Sequence, residues 1–284
     1  MKSIRSWVVF LGLVSVSSLF GSPVARAGSP AFKKTMIVVF ENTNYQAALN
    51  QPTFAKFARD GALLTNLVSE VHPSEGNYIA LVAGSNFGIA NDSSVTLDVQ
   101  HIGDLLEAHG KSWKIYLEGY PGNCFTGMTA GKYVRRHNPF ISFKNVQSNP
   151  VRCKAHLVPA TALAQDIQAG KVPDFSLYIP DVNNDGHDTG VAFADRWFSR
   201  VFGPLLQNSS FMQNLLLVAT FDESAASGGN HIYGAFFGDS VVPGSQNTAS
   251  LTHFSILRLV ERQLGLESLN RSDASAPLIT GIWK

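Results

Sequence analysis

Cysteine is scarce in this chain: Cys124 and Cys153 are the two it has in 284 residues. They do not stand at a metal-ligand spacing from one another, which excludes a thiolate zinc site. Charge is sparse too, at 15% of residues with a formal net of +1, and Lys and Arg nowhere form a block. That removes the basic footprint of a nucleic-acid or membrane-surface binder. No G-x-x-x-x-G-K-[ST] phosphate loop and no G-x-S-x-G elbow is present, so two common hydrolase designs are excluded. Gly238-Asp239-Ser240 resembles an esterase nucleophile block superficially, but it falls late in the chain rather than after the first strand.

Long apolar runs are equally few. Trp7 to Phe20 is mostly apolar, follows Lys2 and Arg5, and is followed by Ala25-Arg26-Ala27, a small-x-small signal-peptidase form. The run is shorter than the ~20 residues a spanning helix needs. Residues 1–27 are therefore expected to be a cleaved signal peptide, and 28–284 one domain that is secreted or periplasmic, without stable membrane insertion. Loss of Lys2, Arg5 and Arg26 turns the formal charge to −2. Export permits a disulfide, and two cysteines allow one intramolecular pairing. The expectation is a Cys124–Cys153 bridge, against two separate buried thiols.

What is present alternates between strand-like and helix-like stretches, the pattern of an α/β fold with a largely parallel central sheet and helices on both faces. Thr35 to Phe40 is a short apolar, β-branched run suited to a strand buried on both faces. Ala62 to Leu67, Trp113 to Leu117, Phe175 to Ile179, Leu215 to Thr220 and His231 to Phe237 read as further strands. Thr53 to Asp60, Tyr78 to Ala83, Ile102 to His109, Phe193 to Leu206 and Phe254 to Leu264 read as helices. The segment between Gly119 and Pro159 is irregular and rich in Gly, Asn and Pro, as functional insertions often are.

Acidic residues follow the strands. Glu41-Asn42 comes after the first, Asp181 to Asp188 after another, and Asp222-Glu223 after a third. Ligands in open α/β sheets bind beyond the carboxyl ends of strands, so these groups can converge there. Gathered carboxylates repel unless protonated or neutralised, which points to a divalent cation. Asp181-Val182-Asn183-Asn184-Asp185-Gly186 also begins like a calcium loop, but its twelfth position is Ala192 instead of glutamate. A plain solvated turn is the other reading of that stretch. Ser74 precedes a helix, where it serves either as an N-cap or as a hydroxyl activated beside free backbone N–H groups. Arg135, Arg136 and His137 form either an anion-holding group or an ordinary basic surface.

Six stretches in order, IVVFENTNY, HPSEGNYIALVAG, RRHNPF, PDVNNDGHD, ATFDE and LTHFSILRLVE, resemble the bacterial and fungal phosphoesterase family of acid phosphatases and phospholipases C, in the alkaline-phosphatase-like superfamily. The resemblance covers most of residues 28–284. It implies that Glu41, Asn42, Asp222 and Glu223 hold a divalent metal, that Ser74 is the nucleophile, and that His187 protonates the leaving group. It places Asn77, His137, Asp181, Asp185 and His253 on the substrate side. Sulfatase relatives need x-P-x-R after the modified residue, whereas Glu75-Gly76-Asn77 follows Ser74. The chain is shorter than typical phospholipase C members, which favours small phosphate monoesters. Phosphodiester cleavage of the phospholipase C type and non-catalytic binding of a phosphate ligand are the alternatives.

Overall fold

The computed structural model describes residues 28–284; the expected signal peptide lies outside the described residues. Ten strands form among the described residues: β1 Lys34–Phe40, β2 Ala62–Val68, β3 Trp113–Leu117, β4 Thr129–Ala130, β5 Tyr133–Val134, β6 Leu157–Pro159, β7 Phe175–Ile179, β8 Leu215–Phe221, β9 His231–Phe237 and β10 Ser245–Asn247. Eight of them make one mixed sheet in the order β10-β2-β9-β8-β1-β7-β3-β6, and β4 pairs with β5 in a separate ribbon. Neighbours in the main sheet run parallel except where β9 meets β2 and β8. The carboxyl ends of β1, β2, β7 and β8 therefore share one edge.

The central strands are buried along their whole length, as their unbroken apolar runs require. Helices cover both faces, so the architecture is the expected α/β one. Phe40, Phe54, Phe198 and Phe221 interlock with ring centroids 5.0–5.5 Å apart, clamping the Pro52–Asp60 and Val191–Leu206 helices onto the sheet. Asp195 fixes this layer further by accepting hydrogen bonds from the Thr53 and Phe54 amides at 2.8 and 2.9 Å. The Glu75–Ala83 helix is buried at every position and packs against the His253–Leu264 helix.

The irregular Gly119–Pro159 segment contains the β4–β5 ribbon, two 3-10 turns (Arg135–His137 and Pro139–Ser142) and two short helices. Cys124 and Cys153 are joined in a disulfide across it, with a sequence separation of 29. Closing a loop of that length restricts the unfolded chain by about 3–4 kcal/mol in the chain-entropy model. Cys153→Ser should lower stability by about that amount, read as a shift in denaturant midpoint. An unshifted midpoint would mean that the bridge constrains nothing that folding must order.

Candidate active site

Glu41 lies just past the end of β1, and Asp222 just past β8. The two segments are locked by backbone bonds: Asp222 N donates to Phe40 O at 2.9 Å and Thr43 N to Glu223 O at 3.1 Å. Asp185 arrives from the loop after β7 and accepts the Glu41 amide on its carbonyl at 3.1 Å. Parallel pairing thus delivers three acids, remote in sequence, to one buried point. Glu41, Asp185 and Asp222 are all essentially inaccessible to solvent.

Ser74 opens the Glu75–Ala83 helix but caps none of its amides. Its hydroxyl instead donates to Glu41 Oε2 at 3.0 Å. Asn77, one turn on, accepts the Glu70 and Val71 amides at 3.0 Å each and donates to Val71 O at 2.9 Å. It therefore pins the loop that presents Ser74, with a longer 3.4 Å contact to Glu223 Oε2. Asn42 has a positive φ of 45° and donates its amide to Asp222 Oδ1 at 3.3 Å. One atom of its carboxamide stands 3.0 Å from Glu41 Oε2 and 2.9 Å from Glu223 Oε1. Nitrogen there donates to both carboxylates; oxygen there joins them as a third hard ligand around a cation.

His137 is carried in by the Arg135–His137 turn and buried. Its Nε2 lies 3.0 Å from Glu41 Oε1, and its Nδ1 lies 3.3 Å from Asp185 Oδ2. The angles are poor, however, and both ring nitrogens and Asp185 Oδ2 remain without a hydrogen bond, as does Asp222 Oδ2. Orphaned buried polar atoms are costly unless something else satisfies them. One donor atom each from Glu41, His137 and Asp185 lie within 4.8 Å of one another, a group able to hold a metal ion. Burial pushes the His137 imidazole well below its usual range, with Arg136 and His187 adding to the effect, so a bare nitrogen is on offer. The residues present fit a divalent cation.

Electrostatics agree. Burial, followed by repulsion from Asp222 and Asp185, drives Glu41 well above the carboxylate range. Burial does the same to Asp185 and lifts Asp222 to about 6. Glu223 rises to about 8 through burial and the nearby Asp222 and Asp92 charges, with Arg136 opposing.

The remaining residues singled out in the sequence sit elsewhere around this core. His187 is partly exposed at the rim; its Nδ1 faces Asp188 Oδ1 at 2.9 Å, and its Nε2 accepts from Arg136 Nη2 at 3.3 Å. His253 is buried behind the site, its Nδ1 on Glu70 Oε2 at 2.6 Å and its Nε2 near Phe221 O at 3.0 Å. With both nitrogens engaged it braces the ends of β2 and β8 and has none left for a ligand. Burial alone would depress its imidazole, but the Glu70 carboxylate holds it above the usual value. Asp181 accepts the Asn183 and Asn184 amides at 3.0 and 3.1 Å, closing its own turn. It lines a separate cleft of about 570 Å³ with Glu118, Tyr178 and Asn184.

Two residues with contacts here were not anticipated from the sequence. Tyr78 donates its hydroxyl to Glu41 Oε1 at 2.6 Å and stacks on His137 at 5.1 Å. His72 Nδ1 stands 2.8 Å from Glu223 Oε2. Tyr78 lies four residues after Ser74, the helical spacing that puts both on one face, and that was the available signal.

The phosphoesterase family model matches residues 33–267. The chain belongs to the phosphoesterase family. A probable acid phosphatase of Kluyveromyces lactis is 35% identical over 270 residues, covering 90% of this chain and 64% of that protein. An acid phosphatase of Aspergillus fumigatus is 33% identical, covering 91% and 60%. A phosphatidylinositol-3-phosphatase of Mycobacterium tuberculosis is 32% identical, covering 92% and 86%. This phosphoesterase thus spans less than two thirds of the length of those two fungal relatives. Among solved structures, an alkaline phosphatase superfamily protein from Vibrio parahaemolyticus superposes with a TM-score of 0.61 at 12% identity, over 89% of this chain and 73% of that one. At that identity the likeness concerns fold alone.

Carboxyls raised in the folded state lose stability as pH climbs from their unfolded values near 4 toward their folded ones. With chelator present, the melting temperature should therefore fall between about pH 6.5, above which the depressed His137 imidazole no longer opposes the trend, and about pH 8. A divalent cation should restore it, and most strongly at the upper end. Thermal shift assays check this, and equal restoration at both pH values would count against the carboxylate site.

Proposed function

We propose that this phosphoesterase is an exported, metal-dependent acid phosphatase that hydrolyses small phosphate monoesters through a phosphoserine at Ser74. The observation that carries the reading is the 3.0 Å hydrogen bond from Ser74 Oγ to Glu41 Oε2, made at a helix start where the hydroxyl is released from capping. The acid phosphatase relatives support the activity, and the 86% coverage of the phosphatidylinositol-3-phosphatase supports monoester over diester chemistry.

Glu41, Asn42, Asp222 and Glu223, with His137 and Asp185 beside them, are the residues that would hold the cation. Bound there, a divalent ion neutralises the gathered carboxylates and withdraws charge from a phosphoryl oxygen. Ser74 Oγ attacks phosphorus as its proton passes to Glu41 Oε2; the Oγ–P bond forms while the ester P–O bond breaks. The leaving oxygen takes a proton from His187 Nε2, which must first be freed from Arg136 and protonated. Water then cleaves the phosphoserine, returning the Ser74 hydroxyl and inorganic phosphate. Residues 1–27 act as a signal peptide and 28–284 as one catalytic domain, in keeping with the disulfide, which persists in oxidising compartments. No helix among the described residues is long and apolar enough to cross a membrane.

Ser74→Ala should reduce p-nitrophenyl phosphate turnover by at least about 10³-fold while leaving the melting temperature near that of the wild type, because it removes the group that forms the intermediate. Acid-quenched wild-type enzyme should yield a phosphorylated peptide containing Ser74. Near-normal turnover in the variant would remove the nucleophile assignment.

A further inference from the structure

The active site is strongly acidic, so a phosphate bearing two negative charges is repelled there unless positive groups face it. The protein's own permanent cations around the site are Arg135, Lys132 and Arg136. Arg135 is unavailable: it is buried, with Nη1 on Glu75 Oε1 at 3.2 Å and Nη2 on Val95 O at 2.6 Å. Lys132 is engaged by Asp188 at 3.2 Å. Arg136 is placed differently, between His187 and Asp92.

Arg136 Nη2 donates to His187 Nε2 at 3.3 Å. Its Nε is 3.5 Å from Asp92 Oδ2 but makes no hydrogen bond, although that atom is shielded from water. Asp92 in turn accepts, on Oδ1, the amide of Glu75 at 3.2 Å. That amide is the first after Ser74. The Asp92 carboxylate thus occupies, in the free protein, a backbone donor and a guanidinium that a phosphoryl group on Ser74 could also use. The guanidinium bears electrostatically on both His137 and Glu223.

Resting on the phosphomonoesterase reading, we propose that Arg136 is the specificity-determining residue that recognises the second negative charge of a phosphate monoester, displacing Asp92 and His187 to do so. Guanidinium N–H groups match the spacing of two phosphate oxygens, and such charge-assisted pairs are about twice as strong as neutral ones. A diester has one of those oxygens esterified and leaves a donor without a charged partner. Moving Arg136 to the phosphate also releases His187 Nε2, so substrate charge and the freeing of the leaving-group proton donor become one event.

The test compares Arg136→Gln and Arg136→Lys with the wild-type enzyme at about pH 7, where the second phosphate ionisation near 6 makes a monoester largely dianionic. Turnover of p-nitrophenyl phosphate and bis-p-nitrophenyl phosphate and competitive inhibition by inorganic phosphate are measured, with melting temperature as the check on folding. In Arg136→Gln, kcat/KM for the monoester should fall about 10- to 100-fold, and phosphate inhibition should weaken by a similar factor. Diester turnover should change less than about threefold, and Arg136→Lys should recover part of the monoester loss. Equal losses on both esters, or unchanged phosphate inhibition, would overturn the assignment of Arg136. Wild-type enzyme turning over neither ester would instead remove the phosphatase reading on which it rests.

Discussion

Like charges held together out of water shape everything around this site. Glu41, Asp185 and Asp222 are brought to one point by hydrogen bonds of the parallel sheet, which form whatever the side chains prefer. Left alone, such acids protonate or drive the loops apart. The neighbouring residues answer this problem: Tyr78 and Ser74 each donate to Glu41, the Asn42 amide to Asp222, and His137 lies between Glu41 and Asp185. Asp185 Oδ2, Asp222 Oδ2 and the ring nitrogens of His137 still lack a hydrogen bond, and these are atoms suited to a cation. Ligand affinity and fold stability are therefore coupled at this point, and the backbone supplies the frame.

A second layer keeps that frame in register. The buried Glu70–His253 pair joins the end of β2 to the last long helix, and His253 also reaches the Phe221 carbonyl at the end of β8. Asn77 fastens the turn before Ser74 from within the helix that Ser74 begins. Neither residue needs to touch substrate to matter, because a displaced Ser74 hydroxyl would lose its line to Glu41.

The strands and the acids after them were legible because an apolar run that stops abruptly at a polar pair marks a buried strand leaving the core. β1, β7 and β8 end close to where their runs end, and Glu41, Asp185 and Asp222 follow from them. Roles inside the cluster were harder to read. Four titratable residues between Asp181 and Asp188 look equivalent in sequence, yet local turn chemistry directs Asp181 to its own amides and leaves Asp185 to face Glu41 through His137. His253 and His137 are both histidines before or within a helical turn; which one keeps unused nitrogens depends on Glu70, 183 residues from His253. Tyr78 passed as one more apolar member of a buried helix. Such contacts are set by tertiary packing, which no spacing rule encodes.

The excursion between β3 and β6 carries Arg136 and His137, whereas Ser74, Glu41 and Asp222 belong to the sheet and the helix it supports. The excursion is stapled to itself by Cys124–Cys153 and anchored through the buried Arg135–Glu75 ion pair to the residue directly after Ser74. The excursion and the sheet thus meet through several charged contacts, Arg135 with Glu75 and His137 with Glu41 and Asp185. Exchanging this excursion would therefore remake the buried acidic cluster itself, because His137 travels with it.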